Sequence, residues 1–201
     1  MTLALPQGVT LYFARHGQTQ ANVEKRFSGF KDTPLTPLGL EQAAAVGRIL
    51  GRELGAAAGF AFVSSPLTRA MTTMRLARAA MGLAPDDFST DNRLKEINLG
   101  IWDQLTDEEA RALSPVLFEQ RGNDKWHVRV PGGENYAEVA ARLTDWVHEL
   151  KQNTVAVSHG ATIRILRGLL AGMDWRGMNA LDEPQGVVFR AQGSDVTLLA
   201  A

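Results

Sequence analysis

Short apolar runs alternate with longer segments of helical periodicity along most of the chain. Residues 9–14, 60–63 and 155–158 are apolar or β-branched at nearly every position. Such runs are typical of strands that are buried on both faces of a sheet. Because the segments between them have a helical pattern, we expect a mostly parallel sheet with helices on both sides.

The predicted helices begin at recognisable capping residues. Thr36-Pro37 places an N-cap threonine before a proline at the first helical position, and Ser65-Pro66 repeats this arrangement. A helix from about residue 161 to residue 170 follows the third strand directly. Two capping boxes predict further helix starts: Thr106 with Glu109, and Asn135 with Glu138.

The other segments complete the predicted architecture. Residues 83–105 predict short extended pieces and loops. Residues 105–133 predict a helical excursion that contains no strand, and we expect this excursion to cover the active site. Residues 187–189 and 196–199 flank Gly193-Ser194 and predict an antiparallel hairpin at the sheet edge. The predicted fold class is α/β, a three-layer α/β/α sandwich with a mostly parallel mixed sheet. We expect residues 1–201 to form a single domain.

Composition narrows the range of functions. The 201 residues are 45% hydrophobic and 21% charged, with a formal net charge of -1. This balance gives no general attraction to nucleic acid or to a membrane surface, so any anion selectivity must come from locally placed arginines and lysines. The lack of cysteine excludes disulfides and thiolate chemistry. With no signal peptide and no long apolar span, we expect a cytoplasmic protein.

The candidate chemistry lies at the ends of the predicted strands. Arg15-His16 ends the first strand, Arg69 follows the second, and His159-Gly160 ends the third. Ligands in open α/β sheets bind beyond the carboxyl ends of the strands, so the two imidazoles are expected in one crevice. Two guanidiniums beside them make an anion site. The turn at Gly160 leads into a helix N-terminus, whose free N–H groups favour an oxyanion.

A histidine in such a site can attack phosphorus through an unprotonated nitrogen. Neighbouring cations keep it unprotonated, and a backbone carbonyl on the other nitrogen fixes the tautomer. The leaving alkoxide needs a proton, for which Glu96 is the candidate acid and Asp103 the local competitor. A partly buried glutamate that faces an anion has the raised pKa that a general acid needs. His127 either touches the substrate or stands exposed in its loop.

Nine segments extend this constellation from about residue 9 to residue 165. They are Arg15-His16-Gly17-Gln18-Thr19, Asn22, Arg26-Phe27-Ser28-Gly29, Leu35-Thr36-Pro37-Leu38-Gly39, Gln42-Ala43, Ser64-Ser65-Pro66-Leu67-Thr68-Arg69-Ala70, Glu96-Ile97-Asn98-Leu99-Gly100-Ile101-Trp102, Pro131-Gly132-Gly133-Glu134 and Ser158-His159-Gly160. Together they resemble the histidine phosphatase superfamily, the phosphoglycerate mutase-like group. The match is specific because the segments occur in family order.

The resemblance implies a role for each candidate residue. His16 is transiently phosphorylated, and Glu96 protonates the leaving oxygen and later activates water. Arg15, Arg69 and His159 bind the transferring phosphoryl group, with His159 as a charged ligand at the helix start. Three further matched positions line the phosphate and substrate pocket: Asn22, Ser28 and Gly160. The family implies no metal and no cofactor.

Two departures from the family pattern bear on the subfamily and on the reaction, respectively. Gln104 stands where many of its phosphatases have glycine. The mutases of the family use adjacent arginines in the excursion. The cations of this excursion are dispersed, which favours hydrolysis. They are Arg111, Arg121, Lys125 and Arg129. We therefore expect a phosphomonoesterase acting on a small phosphorylated substrate, as a monomer or homodimer. The alternatives are a cofactor-dependent phosphoglycerate mutase and a non-catalytic phosphate-binding domain.

Overall fold

A mixed sheet forms the centre of the fold. The computed structural model describes residues 3–200. Its strands are β1 (Thr10–Arg15), β2 (Ala61–Ser64), β3 (Ser89–Thr90), β4 (Thr154–Ser158), β5 (Val188–Gln192) and β6 (Asp195–Leu199). They lie in the order β3-β2-β4-β1-β5-β6. The first four are mutually parallel, β5 runs antiparallel to β1, and β6 to β5, which confirms the predicted mixed sheet and terminal hairpin.

Helices cover both faces of this sheet. They are α1 (Gln20–Val23), α2 (Pro37–Leu54), α3 (Thr68–Ala80), α4 (Asp107–Leu113), α5 (Pro115–Asn123), α6 (Tyr136–His148), α7 (Gly160–Leu170) and α8 (Trp175–Asn179). Short 3₁₀ turns occupy Asn92–Leu94 and Gly100–Trp102. Sequence patterns did not predict α1 or α8, which are only four and five residues long. No helix within residues 3–200 is long and apolar enough to cross a membrane.

The alternation of side chains along β1 explains why its sequence is apolar throughout. Leu11 and Phe13 pack into a core shared with α6 and α7. Tyr12 and Ala14 point to the opposite face and pack with α2 and α3. Successive residues of a strand face opposite sides of the sheet, so helices on both faces require apolar side chains at every position.

Three of the four predicted helix caps form, and one does not. Thr36 caps α2, since its Oγ1 accepts the Gly39 N–H at 3.1 Å, and both predicted capping boxes form. The predicted start at Ser65-Pro66 is wrong, because α3 begins at Thr68 without a side-chain cap. The Ser65 hydroxyl instead lies 2.7 Å from a ring nitrogen of His159, so it is part of a tertiary contact.

Residues 105–133 leave the sheet and build a small core of their own. In this core Trp102 packs with Ala110 and Val130. The indole Nε1–H of Trp102 donates to Ser114 Oγ at 2.9 Å, at the junction of α4 and α5. The excursion therefore packs on the strand-end loops around one buried tryptophan, and contacts such as Phe27 N–H to Leu105 O and the Arg26–Glu109 ion pair add to the attachment.

Candidate active site

The two histidines meet at the carboxyl ends of β1 and β4. These strands pair in parallel with Arg15 opposite Ser158, so the next residue of each strand stands at the same edge. The ring centroids of His16 and His159 are 5.1 Å apart in an edge-to-face arrangement. The predicted meeting of the two imidazoles is confirmed.

His16 is held as a neutral imidazole. Its ring is buried, and its Nδ1 lies 2.7 Å from the carbonyl oxygen of Gly17. A carbonyl oxygen can only accept, so Nδ1 carries the proton and Nε2 keeps its lone pair. Burial, followed by the charges of Arg69 and Arg15, holds the pKa of His16 well below its usual value. The ring lines a cavity, where Nε2 makes no hydrogen bond to residues 3–200.

His159 uses both of its ring nitrogens inside the protein. Arg69 Nε–H donates to Nδ1 at 3.2 Å, so the ring proton lies on Nε2 and is donated to Ser65 Oγ at 2.7 Å. Burial, followed by the charge of Arg69, holds the pKa of His159 well below its usual value. The expectation of a charged His159 is therefore wrong for this geometry, because Nδ1 accepts a hydrogen bond from Arg69 and so cannot carry a proton.

Arg69 is buried and fully hydrogen-bonded. Its guanidinium has five N–H donors, and each meets an acceptor. Besides His159 Nδ1 these are Lys31 O, Asp32 Oδ1, Ser28 O and Gly29 O. Arg69 thus fixes the 28–32 segment, and direct contact with a phosphoryl group requires the exchange of one of these acceptors.

Glu96 is a buried carboxyl group on the loop that precedes the Gly100–Trp102 turn. One oxygen accepts the Ile97 N–H at 2.9 Å. The carboxyl also accepts the backbone N–H groups of Ala161 and Thr162 at the start of α7, both at 3.2 Å. Burial is the largest effect and, with the nearby charge of Glu183, it raises the pKa of Glu96. The predicted raised pKa is confirmed.

The start of α7 differs from the expectation for Gly160. Its N–H groups were expected to face a bound oxyanion, but those of the next two residues bind Glu96. A Cβ at Gly160 would clash with Oε2 of Glu183 and would lie 3.2 Å from Cζ of Arg15. The glycine therefore makes room for a carboxylate and a guanidinium at the strand ends.

Glu183 is a site residue that the sequence reasoning missed. Its Oε1 lies 2.9 Å from Arg164 Nη2, and its Oε2 lies 3.5 Å from Arg15 Nη1. The available signal was the predicted hairpin. Because β5 runs antiparallel to β1, the residues before β5 lie at the same sheet edge as the end of β1.

A cavity of about 450 Å³ connects these groups. Arg15, His16 and Glu96 line it, as do the predicted pocket residues Asn22 and Ser28. Arg69, His159 and Gly160 do not line it. Its remaining wall is formed by aromatic, apolar and charged side chains: Arg26, Phe27, Ile97, Leu99, Trp102, Asp107, Phe118, Arg121, Gly122, Lys125, Tyr136, Ala161, Arg164 and Glu183.

The two remaining candidates have structural contacts. Asp103 accepts the backbone N–H groups of Gly29, Phe30 and Lys31, so it anchors their loop. His127 is exposed and pairs with Asp124 at 2.8 Å, which corresponds to the loop alternative. Within residues 3–200, histidine, aspartate and glutamate side chains do not gather in groups of three that could hold a metal ion.

Comparisons with known proteins agree with this geometry. The sequence model of the histidine phosphatase superfamily (branch 1) matches residues 11–193. A glucosyl-3-phosphoglycerate phosphatase from Mycolicibacterium vanbaalenii is 35% identical over 176 residues, which cover 81% of this chain and 74% of the relative. A probable phosphoglycerate mutase from Salmonella paratyphi C is 34% identical over 177 residues, or 81% of this chain and 75% of the relative.

Solved structures show the same architecture. The crystal structure of a putative alpha-ribazole-5'-P phosphatase from Escherichia coli superposes with a TM-score of 0.81 and 26% identity, covering 96% of both chains. The family match extends over most of the chain and includes the strand ends that carry the two histidines. The chain therefore belongs to the histidine phosphatase superfamily, branch 1.

Proposed function

We propose that the protein is a phosphomonoesterase that hydrolyses a small phosphorylated metabolite through a phosphohistidine at His16. The observation that carries the proposal is the state of this one side chain. Its Nδ1–H is committed to Gly17 O, and its ring lines a cavity beside the Arg15 guanidinium. An imidazole with a fixed tautomer and a free lone pair is an activated nucleophile.

The first step transfers the phosphoryl group to the enzyme. His16 Nε2 forms a bond to phosphorus while the bond from phosphorus to the ester oxygen breaks. The departing oxygen takes the proton of the Glu96 carboxyl and leaves as an alcohol. The burial of Glu96 supports this role, because burial raises the pKa of its carboxyl and so favours the protonated form that an acid needs.

The second step returns the enzyme to its starting state. The Glu96 carboxylate takes a proton from a water molecule, whose oxygen attacks phosphorus as the bond to His16 Nε2 breaks. The products are inorganic phosphate, neutral His16 and protonated Glu96. The hydrogen bonds from the start of α7 hold the carboxylate in place during the charged interval.

The cationic groups divide into a direct ligand and a buried support. Arg15 lines the cavity, and its buried Nε has no partner among residues 3–200, so we propose that it binds the phosphoryl oxygens. Arg69 adds positive potential beneath His16 and orients His159 against it. We propose that Asn22 and Ser28 contact the bound group from the rim of the cavity.

A phosphate-release screen with a parallel mutase assay tests this function. We expect inorganic phosphate from several phosphomonoesters, inhibition by vanadate, and the same rate with EDTA present, since no metal enters the proposed steps. Transfer of the phosphoryl group within 3-phosphoglycerate without release would support the mutase alternative. Loss of activity in EDTA would contradict the metal-independent scheme. The single domain and the cytoplasmic location stay predictions.

A further inference from the structure

Residues 131–134, the Pro-Gly-Gly-Glu segment at the end of the excursion, have no part in the proposed reaction, yet they pack directly on the loop that carries Glu96. The Glu134 N–H donates to Asn98 O at 2.8 Å. A Cβ at Gly133 would lie 2.5 Å from the same oxygen, so the close approach of the two segments requires a glycine. The segment is therefore fitted to the loop of the candidate acid.

The Glu134 carboxylate joins this loop to α6. Its Oε2 accepts the Asn98 N–H at 2.8 Å. It also forms a two-point ion pair with Arg142 of α6, whose Nε lies 3.1 Å from Oε1 and whose Nη2 lies 3.3 Å from Oε2. Only 23% of the Glu134 side chain and 16% of the Arg142 side chain are exposed. A guanidinium and a carboxylate that meet at two points hold each other in one orientation.

Arg142 binds the loop at two further points. Its Nη1 donates to Arg93 O, and its Nη2 donates to Glu96 O at 3.2 Å. With the Asn98 N–H, the ion pair therefore holds the backbone before, at and after Glu96. We call Glu134 and Arg142 the loop clamp. Neither residue lines the cavity that contains His16.

Other contacts fix only the preceding part of the loop. Ser158 Oγ donates to Leu94 O at 2.7 Å, and Thr162 Oγ1 lies 2.9 Å from Lys95 O. The loop clamp reaches the backbone of Glu96 itself. A general acid must lie within hydrogen-bond reach of the leaving oxygen, so a small displacement of this backbone reduces proton transfer.

We propose that the loop clamp of Glu134 and Arg142 positions Glu96 for proton transfer to the leaving oxygen. The inference rests on the proposed function. Both are positioning residues, because they act through the backbone of Glu96 and lie away from the cavity. Loss of the clamp should therefore slow each substrate according to how much its leaving group needs a proton.

Leaving-group dependence measures this role. We expect Arg142→Met and Glu134→Gln each to lower kcat/KM for an alkyl phosphate by about tenfold or more. For p-nitrophenyl phosphate the fall should stay below about threefold, because kcat/KM covers only the steps up to release of p-nitrophenolate, which needs no proton. Glu134→Gln keeps the size of the side chain and gives the same test if Arg142→Met does not fold.

Two further variants serve as controls. Arg93→Met removes an ion pair between the same loop and Glu149 at the end of α6, and both esters should keep nearly the wild-type kcat/KM. Arg142→Lys keeps the charge, which also acts on His159, but loses the planar fork, so it should resemble Arg142→Met. Full recovery of the alkyl phosphate rate in Arg142→Lys would overturn the proposal in favour of a charge effect.

Combination with Glu96→Gln separates positioning from a general loss of structure. Because the clamp acts through the acid, Arg142→Met should lower kcat/KM for the alkyl phosphate by less than about twofold once Glu96 is replaced, whereas independent losses multiply. Multiplying losses, or an equal fall for both esters in Arg142→Met, would overturn the proposal.

Amide hydrogen exchange gives a readout that needs no substrate. The N–H groups of Ala161 and Thr162 bind the Glu96 carboxyl, so they should exchange faster in Arg142→Met and at the wild-type rate in Arg93→Met. Unchanged exchange in Arg142→Met would contradict the positioning of Glu96. If no phosphate ester is hydrolysed while these amides exchange faster in Arg142→Met alone, the proposed function fails and the clamp stands.

Discussion

The two ends of the cavity differ in how their side chains are paired. At the end formed by β1 and β4, the two histidines and Arg69 are held by hydrogen bonds to the protein. At the end formed by the excursion, two cations make no ion pair with the described part of the chain. The side chains of His159 and Arg69 donate all their N–H groups to neighbouring residues, and the Nδ1–H of His16 donates to a backbone carbonyl. Arg121 and Lys125 have no carboxylate partner among residues 3–200. We call these regions the reaction end and the excursion end.

The difference separates chemistry from selectivity. At the reaction end, fixed tautomers and a buried carboxyl prepare one nucleophile and one acid, so little reorganisation is needed when a phosphoryl group arrives. At the excursion end, two cations of the cavity lining are left without an ion pair among residues 3–200. Changes at the reaction end should therefore lower the rate for every substrate, and changes at the excursion end should alter the choice of substrate.

Removal of the nucleophile should give the largest loss. We expect His16→Ala to lower turnover of p-nitrophenyl phosphate by more than about 10³-fold, because the other imidazole of the reaction end, His159, has both ring nitrogens in hydrogen bonds. A colorimetric rate assay checks this, with His148→Ala, an exposed histidine on α6, as the control. Retained activity in His16→Ala would contradict the nucleophile assignment.

Removal of the acid should give a loss that depends on the leaving group. Glu96→Gln cannot donate the proton, so hydrolysis of an alkyl phosphate should slow by roughly 10²-fold or more. Para-nitrophenolate leaves without a proton, so its release should slow far less. Pre-steady-state rates of product release for the two esters measure the contrast, and equal losses would argue against a proton donor.

Much of the reaction end could be predicted from the sequence because it follows from local rules. An apolar strand followed by a polar residue and glycine places Arg15-His16 and His159 at the sheet edge. The neutral His16 with Nδ1 on a backbone carbonyl agrees with the prediction, but the state of His159 could not be predicted, since it depends on partners far along the chain. Burial and the N–H that Arg69 donates keep His159 neutral, and the Ser65 hydroxyl contacts His159 while it also accepts the Leu67 N–H.

The excursion end was predicted only in outline. The capping box at Thr106 predicted a helix start, and α4 begins there, but the division into α4 and α5 was not predicted. Whether Arg121 pairs with a carboxylate depends on how α5 packs against the strand-end loops through Trp102, a contact that no periodicity encodes. Glu183 was missed for a similar reason, although the antiparallel direction of β5 placed it at the correct edge.

Neutralising Glu183 should give the smallest effect, a shift in pH dependence. Glu96 must be protonated to act as the acid, so activity falls as pH rises through its pKa. The charge of Glu183 helps to raise that pKa, and Glu183→Gln should therefore move the falling limb of the kcat profile to lower pH.

Profiles of kcat against pH for an alkyl phosphate measure this shift. Asp182→Asn is the matched control. Asp182 precedes Glu183 in the chain, but its side chain is 75% exposed and pairs with Arg167 outside the cavity lining. An unchanged limb in Glu183→Gln would mean that Glu183 acts only on Arg15 and Arg164, without influence on the acid.

Trapping the phosphoenzyme tests the central claim most directly. Glu96→Gln should accumulate it with p-nitrophenyl phosphate, because this ester needs no proton donor while the second step still needs a base for water. After an alkaline quench and proteolysis, mass spectrometry should find phosphate on the peptide containing His16, and His16→Ala should carry none. A phosphate on another residue, or turnover with no phosphoenzyme on the kinetic pathway, would contradict the account.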